Sequence, residues 1–483
     1  MQSSERNLSM MMDFYEMTMA YGYFKDGLDN MKRATFDIFY RHNPDNGGFA
    51  IFAGLEQCIQ YIEDFHFSDE DVQYFRDMHM FDEDFLEYLR NFHFSGDVDA
   101  LPEGTIMYPR ESVLSVTAPI LEAQLLETAL LAEVNHQSLI ATKTARIVRA
   151  AEGRGVSDFG ARRAHNMDAA VYGARAAYIG GADGTATVLA GQEFGIPVGG
   201  TMAHSFVMYY PDEYTAFKRY AEVYPDNVVL LIDTYDVIHS GLPNAIRIAR
   251  EVLEPMGKRL KGVRIDSGDL AYLSKRVRAI LDSEGLQDCK IVASNSLDEY
   301  TIRSILDQGG CIDSFGVGER LITAKSDPVF GGVYKLVAVE GDKGWEPRIK
   351  VSETLEKITN PGRKELYRIY NPQGKAVSDL IAKEGEPVDV EHKFRYVDPN
   401  EPWRLRHFEG CTAKKLLVPI FRGGKLVYKQ PALKDIRAFV QYQLKNEIWQ
   451  EEQRFENPHV HFVDMTPAYY EEKMNLLSKS RNK

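Results

Sequence analysis

The chain has 483 residues, which is long for one ordinary domain, so we expect two or three domains, although an α/β barrel alone can take up about 250 residues. Hydrophobic residues make up 44% and charged residues 27%, globular values that predict a sizeable core. The net charge of −14 argues against a general nucleic-acid binder, which needs a basic surface, but leaves room for a small anionic ligand held by local arginines. The polar N-terminus and the lack of an apolar run near ~20 residues predict no signal peptide and no membrane span, so we expect a cytoplasmic protein.

Residues that could form disulfides or bind metals are few and scattered. The cysteines are Cys58, Cys289, Cys311 and Cys411. None lies at metal-ligand spacing from another, so we expect reduced, mostly buried thiols and no zinc site. His459 and His461 would share one face of an alternating strand, which leaves a metal site open there, but a solvated strand is the favoured interpretation.

The first part of the chain predicts a mixture of helices and strands. We expect a helix over 10–24, a strand over 33–39, short acidic helices between 56 and 94, and two strands between 104 and 118. Pro119 then opens a long helix, because Leu126, Leu130 and Val134 recur every four residues and bury one face. This helix is predicted to carry the chain into a second domain.

Strands and helices alternate from residue 143 to residue 336. The strand candidates are 228–232, 262–265, 290–293 and 314–317, with helices over 270–281 and 298–306 between them. Such alternation predicts parallel pairing. Each strand candidate is followed by polar residues, which start at Asp233, Asp266 and Ser294 and, after Gly318, at Glu319. Polar residues at successive strand ends are typical of the mouth of an α/β barrel, where such folds keep their active sites.

Residues 157–210 carry the strongest local signal. Glycine-flanked turns there bring Phe159, Arg162 and His204 to places where backbone can pass close to a ligand. Arginines beside an aromatic ring favour a flat anionic ligand, although an arginine pair is usually a solvated surface feature. A lone histidine is more often a core residue than a catalyst, but Asp233 could accept its Nδ1–H and fix the tautomer. We also expect a helix over 174–179 and a buried strand starting at 196–198.

Two further patterns qualify the kind of ligand. Asp266 and Asp269 resemble carboxylates that hold Mg²⁺ through water, but such a pair is common and mostly structural. The chain has neither a Walker loop nor a G-x-G-x-x-G turn, so a bound nucleotide would use other devices. Beyond residue 337 the pattern changes to charged strands and turns, with closing helices over 436–451 and 467–477.

Eight motifs, in order along the chain, are similar to those of the bacterial nicotinate phosphoribosyltransferases. They are MDFYEMTMAYGYF, DIFYRHNPDNGGFAIFAGLE, SDFGARRAH, GGADGTATVLAGQEFGIPVGGTMAHSFV, LIDTYD, GVRIDSGDL, ASNSLDE and FGVGERL followed by GGVYKL. The resemblance runs from about residue 12 to about residue 336, with a looser match beyond. Chance matching of all eight is not credible.

The resemblance implies an activity and a fold. It implies that nicotinate and phosphoribosyl pyrophosphate give nicotinate mononucleotide and pyrophosphate, coupled to ATP hydrolysis, as the first step of NAD salvage from nicotinate. The implied fold is that of the type II phosphoribosyltransferases, an irregular TIM-like α/β barrel with a second α+β domain formed from the N- and C-terminal segments. We therefore expect an N-terminal domain over 1–140, a catalytic barrel over 141–336 and a C-terminal segment over 337–483.

The resemblance also implies an assembly, cofactors and residue roles. It implies a head-to-tail homodimer that shares its active sites, with Mg²⁺ accompanying phosphoribosyl pyrophosphate and ATP. His204 would be the phosphorylated histidine and Asp233 its orienting carboxylate. The implied substrate-binding residues are Tyr15 and Arg41 from the neighbouring copy, and Phe159, Arg162, Asp183, Thr201, Arg264, Asp266, Gly316 and Gly318.

Two departures and two alternatives accompany the resemblance. Glu319 stands where some members have threonine, and an unpaired carboxylate is unfavourable beside a phosphate. Asp183 lies where nicotinamide-using relatives contact the amide; since it would repel nicotinate, we expect it to act indirectly. The alternatives are a nicotinamide phosphoribosyltransferase and a non-catalytic metabolite-binding relative. The RRAH and GTMAHSF segments favour nicotinate over nicotinamide as the substrate. The joint presence of His204 and Asp233 with Arg264 and Asp266 favours an active enzyme over a non-catalytic relative.

Overall fold

The structure is a computed structural model that describes residues 7–28, 32–352, 357–390, 394–399, 401–403 and 405–481. The chain divides into two compact units. We call Ile140–Pro328 the central unit, and we call the two chain ends together, Met1–Leu139 and Val329–Lys483, the composite unit. No helix in the described ranges is long and apolar enough to cross a membrane.

The N-terminal part of the composite unit contains the expected helices and strands. They are α1 Phe14–Lys25, β1 Arg33–Tyr40, β2 Ala50–Ile51, α2 Leu55–Asp64, α3 Asp69–Asp77, α4 Glu83–Arg90, β3 Asp97–Ala100, β4 Ile106–Met107, β5 Leu114–Pro119, α5 Ile120–Gln124 and α6 Glu127–Ala150. Ser68 and Asp82 cap α3 and α4 by accepting backbone N–H groups, which confirms the short acidic helices. The long helix predicted after Pro119 is instead broken at Leu125, between α5 and α6.

The central unit is built on parallel strands that alternate with helices. Its elements are β6 Gly155–Asp158, α7 Met167–Ile179, β7 Gly184–Thr185, α8 Val188–Phe194, α9 His204–Tyr209, α10 Glu213–Val223, β8 Val229–Leu231, α11 Leu242–Ile248, β9 Gly262–Ile265, α12 Leu270–Ser283, β10 Lys290–Ser294, α13 Glu299–Asp307, β11 Ser314–Val317 and α14 Glu319–Ile322. All four strand candidates and the three helix candidates of this region are confirmed. The strands are apolar because the sheet is buried.

The strands of the central unit form one parallel sheet in the order β7–β6–β11–β10–β9–β8. Its described hydrogen bonding ends at β7 and β8, so the mixed α/β class is confirmed but closure into a barrel is not. The strand expected at 196–198 is only a single bridge between Val198 and Thr185, and Val198 is half exposed. In a parallel sheet all carboxyl ends meet at one edge, which gathers the residues that follow each strand.

The C-terminal part of the composite unit is mostly strands. They are β12 Gly332–Gly341, β13 Gly344–Pro347, β14 Lys364–Tyr370, β15 Ala376–Lys383, β16 Phe394–Val397, β17 Leu405–Phe408, β18 Thr412–Lys415, β19 Val418–Arg422, β20 Lys425–Leu426 and β21 Val463–Met465, with helices α15 Leu433–Tyr442 and α16 Pro467–Arg481. They complete one sheet in the order β13–β12–β1–β5–β3–β19–β20 and form another in the order β17–β16–β21–β15–β14–β18. Because β12 pairs with β1, the central unit ends at Pro328 and not at the predicted residue 336.

His461 does not lie on a solvated strand. It is buried before β21, stacks on Tyr108 with ring centroids 3.7 Å apart, and contacts Asp379 and Glu452 at 3.3 Å each. Asp379 also pairs with the buried Arg368 at 2.6 Å. His461 therefore belongs to an ionic network inside the composite unit, while its neighbour His459 is exposed.

Candidate active site

His204 begins α9 at the carboxyl edge of the parallel sheet. Its Nδ1 lies 3.1 Å from the Thr234 hydroxyl, just after β8, and its Nε2 lies 3.7 Å from an Asp266 oxygen, just after β9. The imidazole remains 40% exposed, which leaves it open to a ligand. Three separate segments of the chain thus meet at this ring.

Asp266 and Asp233 are tied to each other and to neighbouring hydroxyls. Asp266 accepts a hydrogen bond from Ser294, at the end of β10, and its backbone N–H donates to Asp233 at 2.9 Å. Asp233 also accepts from Ser267 at 2.6 Å. Asp233 was expected to orient His204, but the residue hydrogen-bonded to the imidazole is Thr234. Asp233 instead holds the turn that positions Asp266, and its Oδ1 is buried without a hydrogen-bond partner in the described chain.

The guanidinium of Arg264, in β9, lies at the carboxyl edge of the parallel sheet. It donates to the Thr201 hydroxyl at 2.6 Å. Burial lowers the pKa of the Arg264 guanidinium and the charge of Arg162 lowers it further, whereas Asp266 and Asp233 act in the opposite direction. Two arginines close enough to repel each other favour an anion between or beside them. Arg162 is exposed, as expected for a residue that meets a ligand from solvent.

Phe159 follows β6 and lies against β11. A Cβ added at Gly316 would come within 2.3 Å of the Phe159 ring, so only glycine allows this contact. The backbone N–H of Phe159 donates to Val317 at 2.8 Å, and the Phe159 carbonyl passes close to Gly318. The structure thus gives Gly316 a packing role beside Phe159; its contact with a phosphate stays a prediction, as does that of Gly318.

Asp158 holds the turn that carries Phe159. It is fully buried, and its two carboxylate oxygens accept from the Gly160 N–H and the Thr185 hydroxyl at 2.8 Å each. Burial raises the pKa of Asp158, although both hydrogen bonds oppose that shift. Asp158 therefore ties the end of β6 to β7 without facing the ligand side itself.

The structure does not bring Asp183 to this edge. Its carboxylate accepts from the Val156 N–H at 3.1 Å, nearer the start of β6 than its end. Glu319 is not an unpaired carboxylate, because it pairs with Lys325 at 2.6 Å, while its neighbour Arg320 pairs with Asp298. These positions fit structural roles for Asp183 and Glu319, so neither belongs to the candidate site.

Tyr15 and Arg41 lie in the composite unit. Tyr15 is half exposed on α1, and burial together with the nearby Glu127 carboxylate raises the pKa of its phenol. Arg41 follows β1, and its buried Nε has no hydrogen-bond partner among the described residues. Tyr15 thus offers a half-exposed ring, and Arg41 keeps an unused hydrogen-bond donor, within the composite unit.

Sequence reasoning missed the hydroxyl groups of the site. Thr234 and Ser294 belong to the polar segments that follow the strand candidates, but the sequence analysis gave them no role. Their position directly after buried strands was the available signal. Within the described chain no group of three or more acidic, histidine or cysteine side chains could hold a metal alone. The four cysteines form no disulfide.

The arrangement suits transfer of a charged group. His204 can act as a nucleophile or base, because a neighbouring hydroxyl and carboxylate fix its ring. Arg264 and Arg162 can bind a carboxylate or phosphate, and Phe159 offers a ring for a flat ligand.

Comparison with known proteins agrees with this chemistry. Three family models match: the nicotinate phosphoribosyltransferase N-terminal domain over 10–135, the family model over 155–343 and the C-terminal domain over 363–473. A nicotinate phosphoribosyltransferase of Bacillus subtilis is 45% identical over 99% of this chain and 96% of its own length. One of Caenorhabditis elegans is 34% identical over 96% and 92%. The crystal structure of human nicotinic acid phosphoribosyltransferase superposes with a TM-score of 0.85 at 30% identity, covering 96% of this chain and 99% of that one. The chain therefore belongs to the nicotinate phosphoribosyltransferase family, enzymes of NAD biosynthesis.

Proposed function

We propose that this enzyme joins nicotinate to phosphoribosyl pyrophosphate and couples the transfer to ATP through a phosphohistidine at His204. The observation that carries the proposal is the exposed imidazole held by Thr234 and near Asp266, on the same edge as Arg264. The full-length match to nicotinate phosphoribosyltransferases supports the choice of substrates.

In the transfer step the pyridine nitrogen of nicotinate forms a bond to the anomeric carbon of the ribose. The carbon–oxygen bond to pyrophosphate breaks, and its electron pair leaves with pyrophosphate. Arg264 and Arg162 would bind the carboxylate of nicotinate, and Thr201, held by Arg264, would help to orient it. Phe159 would lie along the pyridine ring.

In the coupling step an imidazole nitrogen of His204 attacks the terminal phosphorus of ATP and ADP leaves; water later releases phosphate. The attacking nitrogen needs a free lone pair, so the proton must sit on the other nitrogen. In the tautomer that carries its proton on Nδ1 and donates it to Thr234, the free nitrogen is Nε2, on the side of Asp266. The added phosphate brings about two negative charges, which would draw cationic loops toward the site and tighten binding of phosphoribosyl pyrophosphate.

We further propose that Mg²⁺ enters with the phosphorylated substrates. A magnesium ion commonly uses one or two protein carboxylates plus substrate phosphates. Asp266 and the unpartnered oxygen of Asp233 fit that mode. When bound, the ion would neutralise charge on the departing pyrophosphate.

We also propose a homodimer in which Tyr15 and Arg41 act on the neighbouring copy's site. The exposed Tyr15 ring and the unpartnered Nε of Arg41 support this role. Tyr15 would cover the face of nicotinate opposite Phe159, and Arg41 would bind phosphate.

The His204→Ala variant tests the proposal. We expect it to abolish ATP hydrolysis and to leave weak transfer that no longer responds to ATP. The matched control is His239→Ala, since His239 is also exposed and also contacts an aspartate, Asp236, at 3.1 Å. The control should retain both activities. Intact ATP hydrolysis in His204→Ala would contradict the assignment.

A further inference from the structure

The phenol of Tyr15 is tied to a carboxylate of the composite unit. Its hydroxyl donates a hydrogen bond to Glu127, the first residue of α6. Burial and the nearby Glu127 carboxylate raise the pKa of the phenol, so it keeps its proton at neutral pH and remains the donor. The residue is nevertheless 44% exposed. The polar tip of Tyr15 is therefore held by the fold, while much of its ring is open to solvent.

The Glu127 carboxylate is itself held in place from two sides. Its side chain is only 12% exposed. One of its oxygens accepts a hydrogen bond from the side-chain amide of Gln124, in α5, at 3.1 Å. The other oxygen lies 3.4 Å from the ammonium group of Lys335, in β12. An acceptor that is fixed by its own partners can in turn fix the side chain that donates to it.

The backbone on either side of Tyr15 is joined to the start of α6. Glu16 is fully buried and accepts hydrogen bonds from the backbone N–H of Thr128, at 3.2 Å, and from the Thr128 hydroxyl. That hydroxyl also accepts the backbone N–H of Asp13 at 3.2 Å. With its backbone held in this way, Tyr15 keeps mainly the rotation of its side chain. The hydrogen bond to Glu127 restricts that rotation.

We propose that Glu127 is a positioning residue, which holds the Tyr15 ring in the orientation that covers nicotinate. The inference rests on the proposed role of Tyr15 in the neighbouring copy's site. A ring that is already oriented loses less side-chain freedom when nicotinate arrives, so nicotinate binds more tightly. Loss of the hydrogen bond should therefore raise the KM for nicotinate and leave kcat nearly unchanged, because it weakens binding and not the chemical step.

Steady-state kinetics at saturating ATP and phosphoribosyl pyrophosphate test this role. Glu127→Met removes the acceptor at similar side-chain length, and Tyr15→Phe removes the donor but keeps the ring. Each should raise the KM for nicotinate about 2- to 10-fold, the range expected from the contribution of one aromatic contact. The double variant should raise the KM no further, since both changes remove the same bond. Glu127→Gln keeps an acceptor and should stay near the parent KM.

The matched control is Glu122→Met, which removes another buried carboxylate, in α5, whose hydrogen bonds come from Ser95. A purely structural loss reduces the amount of folded enzyme, so this variant should change kcat at most and keep the parent KM. An unchanged KM in Tyr15→Phe would overturn the inference even where Glu127→Met does not fold. An additive rise in the double variant would also overturn it.

The variant Tyr15→Ala separates this inference from the proposed function. If isothermal titration shows that Tyr15→Ala binds nicotinate as tightly as the parent chain, the proposed role of Tyr15 fails, and the role of Glu127 fails with it. If Tyr15→Ala loses affinity while Tyr15→Phe and Glu127→Met keep the parent KM, only the positioning role of Glu127 is overturned.

Discussion

Arg264 offers the sharpest test of how the site binds nicotinate. Replacing it by methionine removes a charge-assisted hydrogen bond, which contributes about 1.5–3 kcal/mol. At about 1.4 kcal/mol for each tenfold change in affinity, we expect the Kd for nicotinate to rise about 10- to 150-fold. Arg264→Lys keeps the charge but loses the planar fork and the fixed bond to Thr201, so its loss should be smaller.

The structure separates this binding effect from an effect on folding. Burial and the charge of Arg162 disfavour the Arg264 cation whereas Asp266 and Asp233 favour it, so the effects of its removal on the unfolding free energy oppose one another. Isothermal titration with nicotinate measures the Kd, and a thermal melt checks the fold. Arg276→Met is the matched control, because Arg276 is an exposed arginine of α12 whose hydrogen bond goes to Tyr272.

A double-mutant cycle with Thr201→Val extends the test. Because Arg264 and Thr201 are in direct contact, the two losses should not add. A Kd within twofold of the parent value in Arg264→Met, with the fold intact, would refute the role of Arg264 in nicotinate binding. Additive losses would refute the view that the two residues act together.

Three further predictions concern stability and assembly. Glu299→Gln should lower the free energy of unfolding in urea by about 3–5 kcal/mol, because the buried Glu299 pairs with Lys143 at 2.8 Å and Arg146 at 2.9 Å. The control Glu284→Gln breaks a more exposed ion pair and should cost less than about 1 kcal/mol. Equal losses in the two variants would contradict this prediction. Burial opposes protonation of His461, but Asp379 and Glu452 outweigh burial and raise the pKa of the imidazole. The parent chain should therefore be more stable than His461→Asn by its full margin below pH 6.5, and the margin should shrink as the pH rises through the raised pKa. A margin that does not depend on pH would refute this. Tyr15→Ala and His204→Ala copies should each lack ATP-stimulated transfer, and mixing them should restore about a quarter of the parent's ATP-stimulated activity, since about half of randomly formed dimers would be mixed, each with one intact site. No recovery, with mixed dimers present, would exclude shared sites.

Much of the central unit could be predicted because its signals are local. The apolar runs of β8 to β11 are short and bounded by polar residues, and helices with a clear apolar face lie between them. Parallel pairing then places the strand ends together, which is why Asp266 lies near His204 and Arg264 reaches Thr201, in the segment just before His204. Whether the sheet closes depends on long-range pairing of its edge strands, which no local pattern specifies.

Other features depended on contacts that spacing does not reveal. The end of the central unit was placed too late because β12 is apolar like its predecessors but pairs with the distant β1. His461 alternates with apolar residues as on a solvated strand, yet Asp379 and Glu452 make its burial favourable. Asp233 was expected to hydrogen-bond the His204 ring, but the hydroxyl of the next residue, Thr234, does so. The Asp233 side chain is instead held by hydrogen bonds from the turn after β9.

The most direct measurement is to locate the phosphate after the enzyme is incubated with ATP labelled in its terminal phosphate. We predict about one acid-labile phosphate per chain, found by mass spectrometry on His204 and absent from His204→Ala. Label on any other residue, or label that persists in His204→Ala, would contradict the proposal that the imidazole beside Thr234 and Asp266 is the group that ATP phosphorylates.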